Sequence, residues 1–527
     1  MTKVCSFEDA VGDIRDGQSV ASVGVIGWIT PDRTLAALAD CFRRTGSPRD
    51  LTFYFPCGTG DAMDVKGMDR VAIEGLMRRI VSGSYVNPAD PRTGRRPELM
   101  RVVRENKVEA YSWPIGASMQ WLREVARRSP GYMTRVGLGT YVDPRQTGGK
   151  LNARTTEDLV ELVDFRGEEL LYYPTWPLDV GIIRASSADE FGNLSFEDEP
   201  IMSSSLGIAL AVKACGGRVI AQVRRIVEPY SRPAHMVCIP GVLVDRVVVD
   251  PAQMMVTEIP FDDMFLGGKW VPLDRLPRLP LSPDKVIARR ASQEVRPGVV
   301  SIFGFGASSD IALVMVEDGR ITRETIHDYP FTTEHGPFGG IVMSGWQFSA
   351  NANPEGLLDG ITQFDFIDGG NCRFAALAFA QVDSRGNVNV SRFGAAHPGA
   401  GGFTDIAQNA ERLVFTGTFT TGGARCGHRR WGSADRPRRQ SAEIRPGRGA
   451  DHLRGGRRRP HAGPERARRE RTRRVRGCGR RPGADRTRQR RRSAPGRARS
   501  NGVRAGPHRR AGPRHGSGPV RGVIRPC

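Results

Sequence analysis

SVASVGVIGWITPDRTLAALADCFRR, residues 19–44, joins a short apolar run to a glycine-bearing turn and then to a helical pattern. The run at 19–25 is typical of a buried strand, and after Pro31 apolar residues recur at helical spacing. The same order returns in VVSIFGFGASSDIALVMVEDG, residues 299–319. Strands that alternate with helices predict an α/β fold with mostly parallel sheets covered on both faces. We therefore expect two related open α/β halves.

Further patterns set the expected organisation of the chain. Additional strands are predicted at 51–56, 169–174, 218–223, 374–383, 387–394 and 412–419, and helices near 117–128, 205–215 and 404–412. Four prolines between residues 272 and 283 are typical of a linker. The predicted organisation is a first half at 1–270, a Pro-rich linker at 271–288, a second half at 289–423 and a tail at 424–527.

The net charge of +21 and the pI of about 10.2 would ordinarily indicate binding to nucleic acid or an anionic surface. Residues 424–527, however, hold 34 arginines, no lysine and six acidic residues, which leaves a net charge of −7 for residues 1–423. The tail also contains no Phe, Tyr or Met and a single Leu, so it cannot bury a core. A disordered Arg-rich tail is predicted to follow an ordinary globular protein.

Two interpretations of this tail remain open. One is an arginine-rich arm that binds nucleic acid. We favour the other, an out-of-frame translation of GC-rich DNA that truncates the second half, because a basic arm normally mixes lysine with arginine. Residues 443–453 read EIRPGRGADHL, and their possible codons, when translated from the second base of each, can encode KFVxxVEQITF. This alternative sequence has an apolar pattern suited to a β-rich region. Nucleic acid is then not an expected partner.

The nine cysteines include no CxxC pair and no Cys/His cluster with metal-ligand spacing, so a reducing compartment and no metal site are expected. The opening MTKVCSFEDAVGDIRDG lacks the apolar core of a signal peptide. No apolar run reaches the roughly 18 residues that a membrane span needs. These features predict a cytoplasmic protein.

Several glycine-rich segments carry a family resemblance. In chain order they are VGLGTYVDPRQTGGKLN (136–152), FTTEHGPFGG (331–340), GNVNVSRFG (386–394), GAGGFTDIAQNA (399–410) and FTGTFTTGG (415–423). Their sequence and order resemble the family I coenzyme A transferases, in particular members that fuse an alpha-type and a beta-type subunit, such as propionate and acetate CoA-transferases. The resemblance implies the fold of that family, acyl-CoA and small carboxylate substrates, and a homo-oligomer. It also implies CoA as a co-substrate and no other cofactor.

The resemblance places the catalytic nucleophile at Glu334. A carboxylate that attacks an acyl-CoA thioester gives a mixed anhydride, which the released CoA thiolate opens to leave a glutamyl-CoA thioester. The acceptor acid then reverses these steps, so ping-pong kinetics are expected. Gly336 and Pro337 predict a tight turn that presents the carboxylate. Without the motif around it, a glutamate beside a glycine would be interpreted as part of a surface turn.

Two glycine motifs are candidate elements of the site. Gly399, Gly401 and Gly402 precede a helical pattern, where backbone N–H groups can stabilise an oxyanion, and the resemblance implies that role. Gly304 and Gly306 are candidates for a close approach of the CoA chain. A plain structural turn remains the alternative for both motifs.

The sequence departs from the family at several positions. Where relatives have Pro-Gln-Gly, this chain has Ile115, which cannot donate a hydrogen bond, and GVIGWITP (24–31) and GGNCR (369–373) are also altered. Loss of one oxyanion donor costs roughly 10²–10³ in rate. We interpret His335 as a solvated loop residue in preference to one that tunes the charge of Glu334. Cys372 has no base placed for it, so thiol catalysis is not expected.

Three other functions remain open. The first is an acyl-CoA hydrolase on the same scaffold, in which water resolves the glutamyl intermediate. The second is an inactive product of a frame-shifted gene, with apolar surface and strand edges left exposed. The third is a nucleic-acid binder that uses the tail and loses affinity steeply with salt.

Overall fold

The computed structural model describes residues 2–85, 89–393 and 397–419. The predicted tail at 424–527 and the glycines at 422 and 423 lie outside these residues. Within the described part of the chain, no helix is both long and apolar enough to cross a bilayer.

The first 250 residues build a large parallel sheet. Its strands and those that pack beside it are β1 (Ser19–Ser22), β2 (Leu51–Phe55), β3 (Met77–Ser82), β4 (Glu109–Ser112), β5 (Gly131–Thr134), β6 (Glu161–Phe165), β7 (Glu168–Pro174), β8 (Val180–Ala188), β9 (Leu194–Ser195), β10 (Arg218–Ile226) and β11 (Arg246–Val249). The strand order β11-β10-β8-β1-β2-β3-β4 is parallel throughout, and β9 pairs antiparallel with β8. Strands β5, β7 and β6 form a separate antiparallel sheet.

Helices cover this sheet as the alternating pattern predicts. They are α1 (Phe7–Val11), α2 (Asp32–Thr45), α3 (Glu98–Arg104), α4 (Ile115–Arg127) and α5 (Ser205–Ala214). Successive residues of β1 enter different cores, since Val20 belongs to one buried cluster and Ala21 to the other. Both faces of the sheet are therefore buried, which explains the uninterrupted apolar runs.

A second, smaller sheet follows. The elements of this part of the chain are α6 (Pro283–Ser292), β12 (Ser301–Phe303), α7 (Asp310–Glu317), β13 (Phe331–Thr332), β14 (Pro337–Phe338), β15 (Ile341–Val342), β16 (Asn351–Ala352), β17 (Gly356–Leu357), α8 (Gly360–Asp368), β18 (Phe374–Ala378), β19 (Gln381–Val382), β20 (Val388–Asn389), α9 (Phe403–Asn409) and β21 (Arg412–Thr416). Strands β15 and β16, and β19 and β20, form two separate antiparallel pairs. The strand order is β17-β14-β13-β12-β18-β21, with the four strands from β13 to β21 parallel. The predicted α/β class with mostly parallel sheets is confirmed.

Several local predictions need adjustment. The strand predicted at 374–383 is divided into β18 and β19, and that at 387–394 keeps only the two residues of β20. The segment expected as a linker at 271–288 holds a short 3-10 turn at Leu273–Arg275 and the first turns of α6, which Ser282 caps through its hydroxyl.

The two sheets share one core and meet at the carboxyl ends of their strands. A single buried apolar cluster includes Ala21 of β1 and Phe303 of β12. The indole Nε1 of Trp28, beyond β1, donates to the carbonyl of Phe348 at 2.9 Å. Ligands of open α/β sheets bind beyond the carboxyl ends of the strands, so the functional site is sought there.

Candidate functional site

The loops that follow β3, β4 and β13 come together with the turn before α9. The backbone N–H of Ile115 donates to Gly401 O at 3.0 Å, and that of Gly401 donates to Gly83 O at 3.1 Å. We call this junction, defined by Gly83, Ile115, Glu334 and the 399–402 turn, the inter-half seam. It places residues of both halves around one glutamate.

Glu334 directly follows β13 and is held by a rigid turn. The hydroxyl of Thr333 donates to Ser349 O at 2.8 Å. Gly336 has a φ of +113°, and a Cβ there would overlap the Leu358 carbonyl, so only glycine fits. The predicted tight turn is therefore present. The Glu334 side chain retains 18% of its surface exposed, so solvent or a substrate can reach it.

The 399–402 turn lies against this carboxylate. A Cβ on Gly402 would overlap Oε2 of Glu334, so the two residues are in direct contact. Gly399 and Gly401 have φ values of +74° and +61°, which favour glycine. The structure thus brings these predicted site residues together, while their roles stay predictions.

Gly304 and Gly306 occupy a different turn at the same edge. They follow β12, the strand beside β13, and Gly304 N donates to Ala376 O at 2.9 Å. Gly306 has a φ of +92°, and a Cβ there would meet only Ala378 at 3.7 Å. This turn is open on the side away from β18.

His335 is buried, which corrects its interpretation as a solvated loop residue. Its side chain is only 1% exposed, and Nε2 lies 3.4 Å from Glu334 Oε1 and 3.5 Å from the Cys57 sulfur. Cys57 follows β2 and is also buried. The burial of His335 was not predicted because Cys57, which contacts its ring, belongs to the first half and lies 278 positions away in the chain.

Two interacting carboxyl groups, those of the buried Asp405 and the partly buried Asp368, were missed. Asp405 is fully buried on α9, where its Oδ2 accepts from Gly116 N at 3.3 Å and its Oδ1 has no hydrogen-bond partner. Burial and the charge of Asp368 raise the pKa of Asp405 well above its usual range. The one sequence signal was an aspartate near the start of an apolar helical pattern.

The structure also shows where two departures from the family pattern lie. Ile115 is 1% exposed and begins α4, so no side-chain donor is available at that position. Burial raises the pKa of the Cys372 thiol to about 12, so the sulfur is protonated and a poor nucleophile. This agrees with the expectation that Cys372 has no catalytic role.

The sequence comparisons identify the family. The profile of the family described as "Coenzyme A transferase" matches residues 4–250. Acetate CoA-transferase YdiF of Escherichia coli (strain K12) is 40% identical over 422 residues, which cover 80% of this chain and 77% of that protein. The chain belongs to the coenzyme A transferase family. The predicted membership of family I and the predicted transferase class are confirmed.

Other relatives agree with this assignment. The caffeate CoA-transferase of Acetobacterium woodii is 40% identical over 429 residues, covering 80% of this chain and 79% of that protein. The crystal structure of the acyl-CoA transferase YdiF from E. coli O157:H7, a thioester complex with CoA, superimposes with a TM-score of 0.71 at 38% identity. That match covers 80% of this chain and 77% of the YdiF chain.

Proposed function

We propose that this CoA-transferase moves CoA from an acyl-CoA to a short-chain carboxylate by a ping-pong mechanism, through a glutamyl-CoA thioester on Glu334. The observation that carries the proposal is the position of the carboxylate. It is partly exposed at the inter-half seam, held by a fixed turn, and its Oε2 touches Gly402. The thioester complex of the relative YdiF supports the same chemistry.

The transfer balances without a metal or redox cofactor. A Glu334 oxygen attacks the thioester carbonyl, the C–S bond breaks, and CoA leaves as the thiolate. The thiolate then attacks Cδ of Glu334, and the acyl group leaves as its carboxylate with the bridging oxygen. The acceptor acid runs these steps in reverse. Backbone N–H groups of the 399–402 turn other than those of Gly399 and Gly401, which donate to Ser391 O and Gly83 O, serve the oxyanion, and the open turn at Gly304 and Gly306 admits the CoA chain.

The setting follows from the same chemistry. We place the enzyme in the cytoplasm, where acyl-CoA substrates and reduced thiols coexist, and expect it to act as a homo-oligomer. Because Ile115 supplies no donor, the oxyanion depends more heavily on the groups that remain around Glu334.

Borohydride trapping tests the proposal. The purified protein is incubated with acetyl-CoA, butyryl-CoA and succinyl-CoA in turn, treated with borohydride, and digested for mass spectrometry. We expect a reduced thioester on the peptide that contains Glu334, and none in Glu334→Gln. Glu355→Gln, which alters an exposed glutamate of the same half, is the matched control and should retain the adduct.

Two results would count against transfer. Absence of an adduct with every acyl-CoA would refute the glutamyl mechanism. An adduct that turns over to free CoA thiol without any acceptor acid would favour the hydrolase.

A further inference from the structure

His335 contacts one oxygen of the nucleophile, whereas Gly402 contacts the other. The imidazole Nε2 lies 3.4 Å from Oε1 of Glu334, and the Cα of Gly402 lies against Oε2. The two oxygens of the carboxylate are therefore in different surroundings. In a glutamyl transfer they also have different fates, because one bridges the anhydride and the other stays on Cδ.

The surroundings of His335 keep a proton on Nε2. Burial disfavours the charged ring, but Cys57 and Glu334 outweigh it and raise the pKa of His335 to about 10. In the neutral ring, a proton on Nδ1 alone would be buried without an acceptor, because Nδ1 has no hydrogen-bond partner. The ring protonated on Nε2 alone and the doubly protonated ring both carry Nε2–H, which has the Cys57 sulfur at 3.5 Å and Oε1 of Glu334 at 3.4 Å within reach.

Cys57 fixes the ring and does not act as a nucleophile. Its sulfur is 3.5 Å from the same Nε2 that faces Glu334. In a triad of nucleophile, histidine base and orienting acid, the nucleophile and the acid contact opposite nitrogens of the histidine ring. Here Cys57 and Glu334 face the same nitrogen, so the arrangement is not a triad. The turn that carries Cys57 is itself held, because Gly58 N donates to Ser84 Oγ at 2.9 Å.

Resting on the function proposed above, we propose that His335 is a further catalytic residue that donates from Nε2 to Oε1 of Glu334. In the first step Oε2, on the Gly402 side, attacks the acyl-CoA and becomes the bridging oxygen. In the second step the CoA sulfur attacks Cδ, and negative charge develops on Oε1, where Nε2–H stabilises it. The Cδ–Oε2 bond then breaks and Oε2 departs with the acyl carboxylate. This donor compensates in part for the side-chain hydrogen-bond donor that is missing at Ile115.

The test measures the single-turnover rate of glutamyl-CoA formation with acetyl-CoA, by quenching with borohydride and mass spectrometry. We expect His335→Leu to slow the rate roughly 10²–10³-fold, the usual cost of one oxyanion donor. His335→Gln, whose amide can donate from a similar place, should stay within about tenfold of wild type. Cys57→Ala should have a smaller effect, and Cys372→Ala, a buried thiol elsewhere, should have none. Melting temperatures show that each variant is folded.

The outcomes separate the two proposals. A wild-type adduct with an unchanged rate in His335→Leu would refute the role of His335 alone. Equal slowing in the Leu and Gln variants would show that the ring is needed only for packing, which also overturns the role. No adduct in wild type with acetyl-CoA or the other acyl-CoAs would refute the glutamyl mechanism itself, and the role of His335 with it.

Discussion

Asp405 is fully buried and Asp368 partly buried, and the charge of Asp368 disfavours ionisation of Asp405. Burial, followed by the charge of Asp365, raises the pKa of Asp368 to about 7. Asn409 donates to Asp368 at 3.2 Å, which only partly offsets the burial. An unfolded aspartate ionises near pH 4. Between about pH 4 and 7 the native state therefore holds a proton that the unfolded state has lost.

This difference fixes the sign of a pH dependence. Because the native state binds more protons, the contribution of Asp368 to the free energy of unfolding is present below about pH 4 and is lost as pH rises toward 7. Asp368→Asn removes the cost of the buried charge and keeps an acceptor for Asn409. We expect the variant to be more stable than wild type at pH 8 by roughly 1–3 kcal/mol, measured by denaturant unfolding. The two proteins should be nearly equal at pH 4, and an equal difference at both pH values would contradict the assignment.

At the scale of elements, the turn before α9 is the part of the site that depends most directly on backbone shape. Gly402 has a φ of −84°, which any residue adopts, so its requirement for glycine comes from space and not from conformation. The obstacle to a side chain is Oε2 of Glu334. A substitution here consequently probes the nucleophile without straining the turn.

Gly402→Ala should displace the Glu334 carboxylate while leaving the fold intact. A shift of about 1 Å in a reacting group costs on the order of 10²-fold in rate, so we expect at least that loss in glutamyl-CoA formation. Gly356→Ala in β17 is the matched control, because nothing lies within 4 Å of its added Cβ. A wild-type rate in Gly402→Ala would show that Glu334 does not react from the position described.

The elements also show how far sequence reasoning reaches. Apolar runs located β1, β2 and β10, because burial on both faces of the sheet leaves a local signal, and helical spacing located α2 and α7. The run at 169–174 was identified as a strand, but its antiparallel pairing in β7 had no local signal. Glu334 was found through its motif alone. The contact between Cys57 and His335 could not be predicted, because contacts between residues so far apart depend on how the sheets meet.

At the scale of the whole molecule, similar fractions of this chain and of its relative YdiF lie outside their alignment. About a fifth of this chain and slightly less than a quarter of YdiF lie outside the alignment. The Arg-rich composition begins where the last family motif ends, after residue 423. Both observations favour a replaced C-terminal region, and so support the proposal that residues 424–527 are translated out of frame.

Resequencing the DNA across codons 420–426 tests this directly, and an intact frame there would refute it. If the frame is shifted, we expect a restored reading frame to add a segment like KFVxxVEQITF near the C-terminus. Soluble yield and the rate of glutamyl-CoA formation should rise together, because the restored segment would supply the apolar pattern of a β-rich region. A parallel preparation with Glu334→Gln should gain solubility but not the adduct, which separates folding from chemistry.

The inter-half seam has a further consequence for the fate of the thioester. Glu334 and His335 belong to one half, while Cys57, which contacts His335, and Ile115, which is hydrogen-bonded to the 399–402 turn, belong to the other. In the proposed mechanism, we expect the tightness of that junction to control how often water, in place of an acceptor acid, meets the glutamyl-CoA intermediate. We expect a variant whose junction opens more often to hydrolyse more acyl-CoA without transfer, even when every reacting atom is in place.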